Sequence, residues 1–130
     1  MISSTGNPKR DGKGLLITAV IVLASFLLAG VVSKYCYQLV LIQGDSMEPT
    51  YHNGQLVIID KMNRDYRCGD VIAFYSETEG ICVIKRIAEN PKGETADGYY
   101  VLGDNREHSI DSRDPRIGMV KENAIIGKVL

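Results

Sequence analysis

The sequence predicts a mainly β protein, a small all-β domain preceded by one membrane-spanning helix. Two observations predict this class. Residues 14–33 contain no charged side chain, although charged residues make up 24% of the 130-residue chain. After this run, apolar residues occur in short segments separated by turns, and no later stretch has the 3.6-residue period of an amphipathic helix. The expected division is a tail over 1–13, a helix over 14–33 and an outer domain over 34–130.

The uncharged run has the length of a membrane span. Twenty helical residues cover about 30 Å, the thickness of the hydrocarbon core of a bilayer. Lys9, Arg10 and Lys13 precede the run, and only Lys34 follows it closely. Because positive residues stay on the cytoplasmic side, we expect a single-pass protein of the cell membrane with residues 34–130 outside. A cleaved signal peptide is the alternative, but its apolar segment is typically about 7–15 residues long.

Short apolar segments predict the strands of the outer domain. They are rich in β-branched or aromatic residues and are bounded by Gly, Asn, Asp or Pro. Glycine-rich turns at this spacing favour a sandwich or a barrel. The polar segment 89–98 is expected to be a loop. The predicted strand segments are 40–42, 56–59, 71–75, 81–84 continuing into 85–87, 99–102, 125–126 and 129–130.

Composition and motifs exclude several functions. A net charge of −1 gives no basic field, so we expect no nucleic-acid partner. The three cysteines, Cys36, Cys68 and Cys82, are odd in number and form no CxxC pair, which argues against a zinc site. Whether Cys68 and Cys82 pair is left open. Since the chain also has no P-loop, GxGxxG or HExxH motif, we expect no metal and no cofactor.

A turn containing a serine is the first candidate for chemistry. Gly44 and Pro49 bracket Ser46 between two predicted strands. Such a turn can expose the hydroxyl and direct backbone N–H groups at one point, as an oxyanion hole requires. The alternative is an ordinary surface turn with a satisfied serine.

A lysine on a predicted strand is the second candidate. Strand alternation places Val83, Lys85 and Ile87 on one face. A lysine between apolar neighbours either extends to water at the rim of the sheet or is desolvated. Desolvation lowers the pKa of the amine and makes it a usable base near neutral pH.

The segment 103–113 is the third candidate, because acids, cations and serines are concentrated in it. Such a segment is either a solvated loop or a set of residues that fixes a site through paired charges.

Together these segments resemble the ordered motifs of bacterial type I signal peptidases. The chain has Gly-Asp-Ser-Met-x-Pro-Thr at 44–50, Gly-Asp-x-x-x-Phe at 69–74, Val-Ile-Lys-Arg-Ile at 83–87 and Gly-Asp-Asn-Arg-x-x-Ser-x-Asp-Ser-Arg at 103–113. The resemblance covers about residues 10 to 130 and is closest to a minimal member of Gram-positive type. It implies a mostly β catalytic domain with an apolar surface that rests on the membrane.

The resemblance also implies a role for each matching residue. Ser46 corresponds to the nucleophile, and its backbone N–H corresponds to an oxyanion donor. Lys85 corresponds to the general base, and Ser109 to the serine that orients it. Asp111 and Arg113 correspond to the pair that holds the last motif against the site. The expected supporting residues in the same motif are Asp104, Asn105 and Arg106.

The implied activity is that of a membrane-bound serine endopeptidase which removes signal peptides from secreted preproteins after small residues. The implied partners are preprotein signal peptides, the lipid bilayer and the protein translocation machinery. This activity has three alternatives. A Ser–His–Asp triad would use His52 or His108, but neither lies in a matching motif. A specialised role in pilus or surface-protein assembly is the second, and a self-cleaving repressor, which would need a DNA-binding domain, is the third.

Overall fold

The computed structural model describes residues 11–88 and 98–130. In these ranges the chain forms one long helix followed by an antiparallel sheet, so the predicted fold class is confirmed. Short 3₁₀ turns occupy Arg106–His108 and Glu122–Ala124. The helix is α1 (Gly12–Tyr35), and the strands are β1 (Tyr37–Leu41), β2 (Leu56–Asp60), β3 (Val71–Ser76), β4 (Ile81–Ile87), β5 (Val101–Leu102) and β6 (Ile125–Val129).

Helix α1 extends the uncharged run by two residues at each end. It contains 24 residues, and none of them is buried against the rest of the described chain. A helix that is apolar on all sides and has no protein partner is typical of a membrane span. Its length and composition are sufficient to cross a membrane.

The six strands form one sheet in the order β1-β2-β6-β3-β4-β5. The last strand of the chain, β6, lies between β2 and β3 and joins the β1–β2 and β3–β4 hairpins. The pairing of β3 with β6 shifts register between Ala73 and Phe74. A bulge of this kind bends a strand and increases its twist.

Two apolar clusters cover the two faces of β3. Val71 and Ala73 belong to the cluster beneath the β1–β2 side of the sheet. Ile72 and Phe74 belong to a second cluster, on the side of β5 and of the 3₁₀ turn before β6. Because all four side chains are buried, the strand appears in the sequence as a continuous apolar run rather than as an alternating one.

Several boundaries differ from the prediction. Strand β1 begins at Tyr37 rather than at residue 40, because pairing with β2 continues to Asp60. Segment 99–102 narrows to Val101–Leu102, with a single bridge from Tyr99 to Val120. The two segments predicted at the end of the chain are one strand, β6. The predicted loop 89–98 lies outside the described residues except for Gly98.

Candidate active site

Ser46 lies in the connection between β1 and β2, where a tight turn holds its backbone. The N–H of Glu48 donates to Asp45 O at 3.1 Å, and the N–H of Tyr51 donates to Met47 O at 3.0 Å. Met47 is buried in the first apolar cluster and anchors the turn, while Ser46 itself is half-buried. The turn therefore presents the serine hydroxyl from a fixed backbone.

Lys85 brings its ammonium group to this hydroxyl from β4. Its Nζ atom lies 2.7 Å from Ser46 Oγ and donates a second hydrogen bond of 3.0 Å to Ile84 O. The two side chains are 39 residues apart in the sequence. A hydroxyl and an amine that lie 2.7 Å apart have the geometry required for proton transfer.

Burial tunes Lys85 for this contact. The residue is 4% exposed and faces the same side of the sheet as Ile72, with which it is paired on β3. Desolvation lowers the pKa of the ammonium from 10.5 to about 8, and the negative charge of Asp111 opposes part of this shift. The sequence leaves open whether Lys85 extends to water or is desolvated. In the structure its side chain is desolvated.

Asp111 organises the segment 103–113 from inside the protein. Its carboxylate is fully buried and accepts bonds from Arg113 Nε at 2.8 Å and Arg113 Nη2 at 2.9 Å. The N–H of Gly103 donates a further bond of 2.9 Å. Burial alone would raise the pKa of Asp111, but the hydrogen bonds from Arg113 and Gly103 outweigh it and lower the pKa to about 2. Arg113 also donates to Arg106 O, which closes the segment on itself.

Ser109 does not make the contact that the resemblance implies. Its hydroxyl is buried and makes no hydrogen bond to Lys85 Nζ; it lies near the carboxylate of Asp111, whose pKa it helps to lower, without the geometry of a full hydrogen bond. The hydrogen bonds of Lys85 Nζ go to Ser46 and to the carbonyl of its own neighbour instead. Ser109 lies against Gly103, at a place where a Cβ atom on that glycine would collide with its side chain.

Asn105 fastens segment 103–113 to the serine turn. Its backbone N–H donates to Ser46 O at 3.0 Å, and its side-chain amide donates to Asp45 O at 3.2 Å. Of the expected supporting residues, Asn105 therefore contacts the turn directly. The side chain of Arg106 is exposed, and the contribution of this residue is the carbonyl that accepts from Arg113.

A second network joins all four motif segments. Asp104 accepts two bonds from Arg86, at 2.8 Å to Nε and 2.7 Å to Nη2, and one bond from the hydroxyl of Thr50. Arg86 Nη1 donates to Gly69 O at 2.7 Å. Sequence reasoning included Asp104 but missed Arg86 and Thr50. Both residues lie inside the motifs, and this position could have indicated a role for them. Arg86 directly follows Lys85 and points to the opposite face of β4.

A cleft of about 460 Å³ opens in front of the Ser46–Lys85 contact. It is lined by the end of β1, by the serine turn and by residues 81–85 of β4, and His108, Ile110 and Ile117 close a further side. In the described chain, β5 pairs only with Arg86 and Ile87 of β4. Among the described residues, the rest of this edge, from Ile81 to Lys85, has no strand partner.

The other candidates for chemistry do not join this site. Neither His52 nor His108 hydrogen-bonds to Ser46 within the described residues, and His52 lies on the surface, 3.5 Å from Glu48. The three cysteines are free, so Cys68 and Cys82 are not paired. Residues 11–88 and 98–130 contain no group of three or more His, Cys, Asp or Glu side chains that could hold a metal ion.

Comparison with known proteins relates this arrangement to one family. The family model of signal peptidase, peptidase S26, matches residues 15–95 and 91–130. The chain belongs to the peptidase S26 signal peptidase family. Both the serine turn and β4 lie in the first matched range, and segment 103–113 lies in the second. The first matched range thus contains Ser46 and Lys85, and the second contains the segment that packs against the serine turn.

Individual relatives point to the bacterial type I signal peptidases. Signal peptidase I U of Bacillus subtilis (strain 168) is 26% identical over 92% of this chain and 86% of its own length. Signal peptidase I T of the same strain is 24% identical over 82% of this chain and 78% of its own. A signal peptidase complex catalytic subunit, SEC11 of Fusarium vanettenii, is 27% identical over 81% of this chain and 64% of its own. The resemblance seen in the sequence is confirmed.

Proposed function

We propose that this chain is a membrane-bound serine endopeptidase that removes N-terminal signal peptides from preproteins, with Ser46 and Lys85 as its catalytic dyad. The observation that carries the proposal is the 2.7 Å contact between Lys85 Nζ and Ser46 Oγ. This contact lies at a cleft and involves a lysine whose pKa burial lowers to about 8. Membership of the signal peptidase family supports the substrate class.

The reaction follows from the protonation state of Lys85. In its neutral form Lys85 accepts the hydroxyl proton as Ser46 Oγ attacks the scissile carbonyl carbon. The backbone N–H of Ser46 donates to the developing oxyanion, and Gly44 has no side chain to add a second donor. Lys85 then returns the proton to the leaving amine. Water hydrolyses the acyl-enzyme, with Lys85 again taking the proton and returning it to Ser46.

The substrate is expected to bind as an added strand. The edge of β4 from Ile81 to Lys85 offers backbone donors and acceptors to an extended segment. Such a segment runs alongside β4 and brings one carbonyl to Ser46. Pairing through the backbone does not depend on the preprotein sequence, so side-chain selection must come from the walls of the cleft.

Small residues are expected immediately before the cut. A preprotein with alanine at this position should be cleaved at least about tenfold faster than the same preprotein with phenylalanine, because a pocket built for a methyl group rejects a ring. Gel analysis of both processing reactions under single-turnover conditions measures the ratio. Equal cleavage of the two preproteins would contradict the expected selectivity.

The membrane orientation is proposed from charge and surface. Three positive residues precede the uncharged run 14–33 and one follows it closely, which favours a cytoplasmic N-terminus. Next to the helix, the outward faces of β1 and β2 expose an apolar patch, formed by Leu39, Leu41, Leu56 and Ile58, that suits contact with lipid. Protease added outside intact cells should therefore digest residues 34–130. Digestion of this domain only after lysis would reverse the orientation.

Ser46→Ala tests the proposed function directly. Detergent-solubilised wild-type protein should convert a model preprotein to its mature form, and Ser46→Ala should leave the preprotein intact. His108→Ala is the matched control, because His108 lines the same cleft without contacting Ser46. Undiminished processing by Ser46→Ala would refute the assignment. Cleavage of a pilin precursor but of no general preprotein would favour the specialised role in pilus assembly.

We expect no cofactor requirement, and the translocation machinery is the expected neighbour in the membrane.

A further inference from the structure

The anchor helix joins the catalytic domain with almost no intervening chain. Helix α1 ends at Tyr35 and β1 begins at Tyr37, so only Cys36 lies between them. The first residue of β1 that lines the cleft is Val40. From Tyr37 to Val40 the extended strand rises about 10 Å. The position of the cleft relative to the end of the helix is therefore set by the geometry of this junction.

Lys61 contacts the junction from the neighbouring strand. It directly follows β2, the strand that pairs with β1. Its backbone N–H donates to Cys36 O at 2.8 Å. Its ammonium group donates to Ser33 O at 3.2 Å and to Lys34 O at 3.1 Å. One residue thus binds the last turn of the helix and the residue that connects it to the sheet.

These contacts match what a helix C-terminus lacks. The final carbonyl groups of a helix have no partner within the helix, and they carry the negative end of its dipole. A lysine that donates to them satisfies two acceptors and places a positive charge where it is favourable. The backbone bond to Cys36 adds a third contact. Bending at Cys36 would separate Lys61 Nζ from the helix carbonyls of Ser33 and Lys34.

We propose that Lys61 is a positioning residue that fixes the angle between α1 and the catalytic domain and thereby sets how far from the membrane the enzyme cuts. This inference rests on the proposed function. A preprotein held in the bilayer by its apolar segment presents the cleavage site at a distance that grows by about 3.3 Å with each extended residue. A fixed junction accepts a narrow range of such distances, and a loosened junction accepts a broad one.

The first measurement uses a preprotein series in which the spacer between the apolar segment and the cleavage site grows by two residues, about 7 Å, per step. The full-length enzyme is reconstituted in vesicles with each member of the series. Wild type and Lys61→Arg, which keeps a donor and a charge, should show a sharp preference for one spacer. In Lys61→Met the ratio of best to worst spacer should fall about two- to fivefold, the effect of losing a cation at a helix end. Lys121→Met, at an exposed lysine, is the matched control and should keep the wild-type profile.

The second measurement does not depend on catalysis. Cys36 is half-buried at the junction, and Cys68 is exposed elsewhere on the surface. Maleimide labelling of the detergent-solubilised protein, resolved by mass spectrometry for each cysteine, reports how often the junction opens. Lys61→Met should label Cys36 about two- to fivefold faster than wild type. Cys68 should react at an unchanged rate, and Lys61→Arg should restore the protection of Cys36.

The two measurements separate the inference from the proposed function. If wild type cleaves no member of the series, the proposed function fails, and the labelling of Cys36 still decides whether Lys61 holds the junction. If wild type cleaves all spacers equally, or Lys61→Met keeps the wild-type profile, the positioning role is overturned. A broadened profile with unchanged Cys36 labelling also overturns it, because Lys61 would then act elsewhere.

Discussion

Replacing Lys85 with arginine is expected to reduce preprotein cleavage by about 10²–10⁴-fold, the typical contribution of a general base. A guanidinium group keeps its proton at any accessible pH and cannot accept the one on Ser46 Oγ. Lys85→Met should fail as well, because a thioether has no basic group to accept this proton. In wild type, cleavage should rise with pH toward an apparent pKa near 8, because only the neutral amine accepts a proton. The measurement is the processing rate of one preprotein at several pH values.

The histidines supply the controls for this prediction. His52→Ala and His108→Ala should keep most of the activity and the wild-type pH profile, since within the described residues neither side chain hydrogen-bonds to Ser46. Normal cleavage by Lys85→Arg, combined with loss of cleavage in His108→Ala, would contradict the dyad. A histidine-based mechanism would then explain the activity.

Stability should change in the opposite direction to activity in Lys85→Met. Folding lowers the pKa of Lys85 from 10.5 to about 8, so the folded state binds this proton more weakly than the unfolded state does. The charged lysine therefore lowers the free energy of unfolding. This loss of stability is fully present below the pKa of the folded state and disappears as the pH rises toward the pKa of the unfolded state. At neutral pH we expect Lys85→Met to raise the free energy of unfolding by about 1–3 kcal/mol. Denaturant unfolding of both proteins across this pH range measures the difference.

Gly103→Ala is expected to inactivate the enzyme without touching either member of the dyad. The glycine is buried where segment 103–113 packs against the serine turn. A Cβ atom there would lie 2.7 Å from Ser46 O. That oxygen belongs to the backbone of Ser46, the proposed nucleophile, and can give way only if the turn moves. A displacement of about 1 Å at a reacting group costs on the order of a hundredfold in rate. We therefore expect a loss of this size, measured as single-turnover cleavage.

Two further variants sharpen the result for Gly103. Gly30→Ala is the control, because no atom lies within 4 Å of the corresponding Cβ position, and it should retain full activity. The double variant Gly103→Ala with Ser109→Gly removes the side-chain part of the collision, which involves both Oγ and Cβ of Ser109, and leaves the backbone part. It should remain inactive. Restored activity in the double variant would show that Ser109, rather than the Ser46 carbonyl, is the obstacle.

The sequence predicted those parts of the fold that depend on local pattern. The uncharged run gave α1 to within two residues at each end, since membrane spanning depends on composition alone. Strand β3 was predicted almost to its ends, because it is buried on both faces. The central position of β6 could not be predicted, because pairing between distant strands leaves no local signal. Its Gly127 fits between strands where a Cβ atom would lie 2.8 Å from the Asp60 carbonyl carbon.

The site shows the same limit. Alternation along β4 placed Lys85 on an apolar face, but whether that face was covered depended on the rest of the fold. Arg86 and Thr50 were missed because their shared partner, Asp104, comes from a distant segment. Ser109 was assigned to Lys85 by resemblance, and the structure buries its hydroxyl without a partner among the described residues. Positions were readable from the motifs, whereas side-chain contacts required the packed structure.

Within the described residues, the edge of β4 from Ile81 to Lys85 has no strand partner, and this limits the folding state of a substrate that binds there as proposed. An unpaired strand edge attracts other strands, including those of folded proteins. Here the edge lies in a cleft between the end of β1 and the segment carrying His108 and Ile117. A single extended chain fits beside β4, whereas a strand already paired in a sheet brings a neighbour about 4.8 Å away that the walls obstruct. On the proposed binding mode the enzyme acts on chain that has not yet folded, so we expect cleavage while the preprotein is still extended.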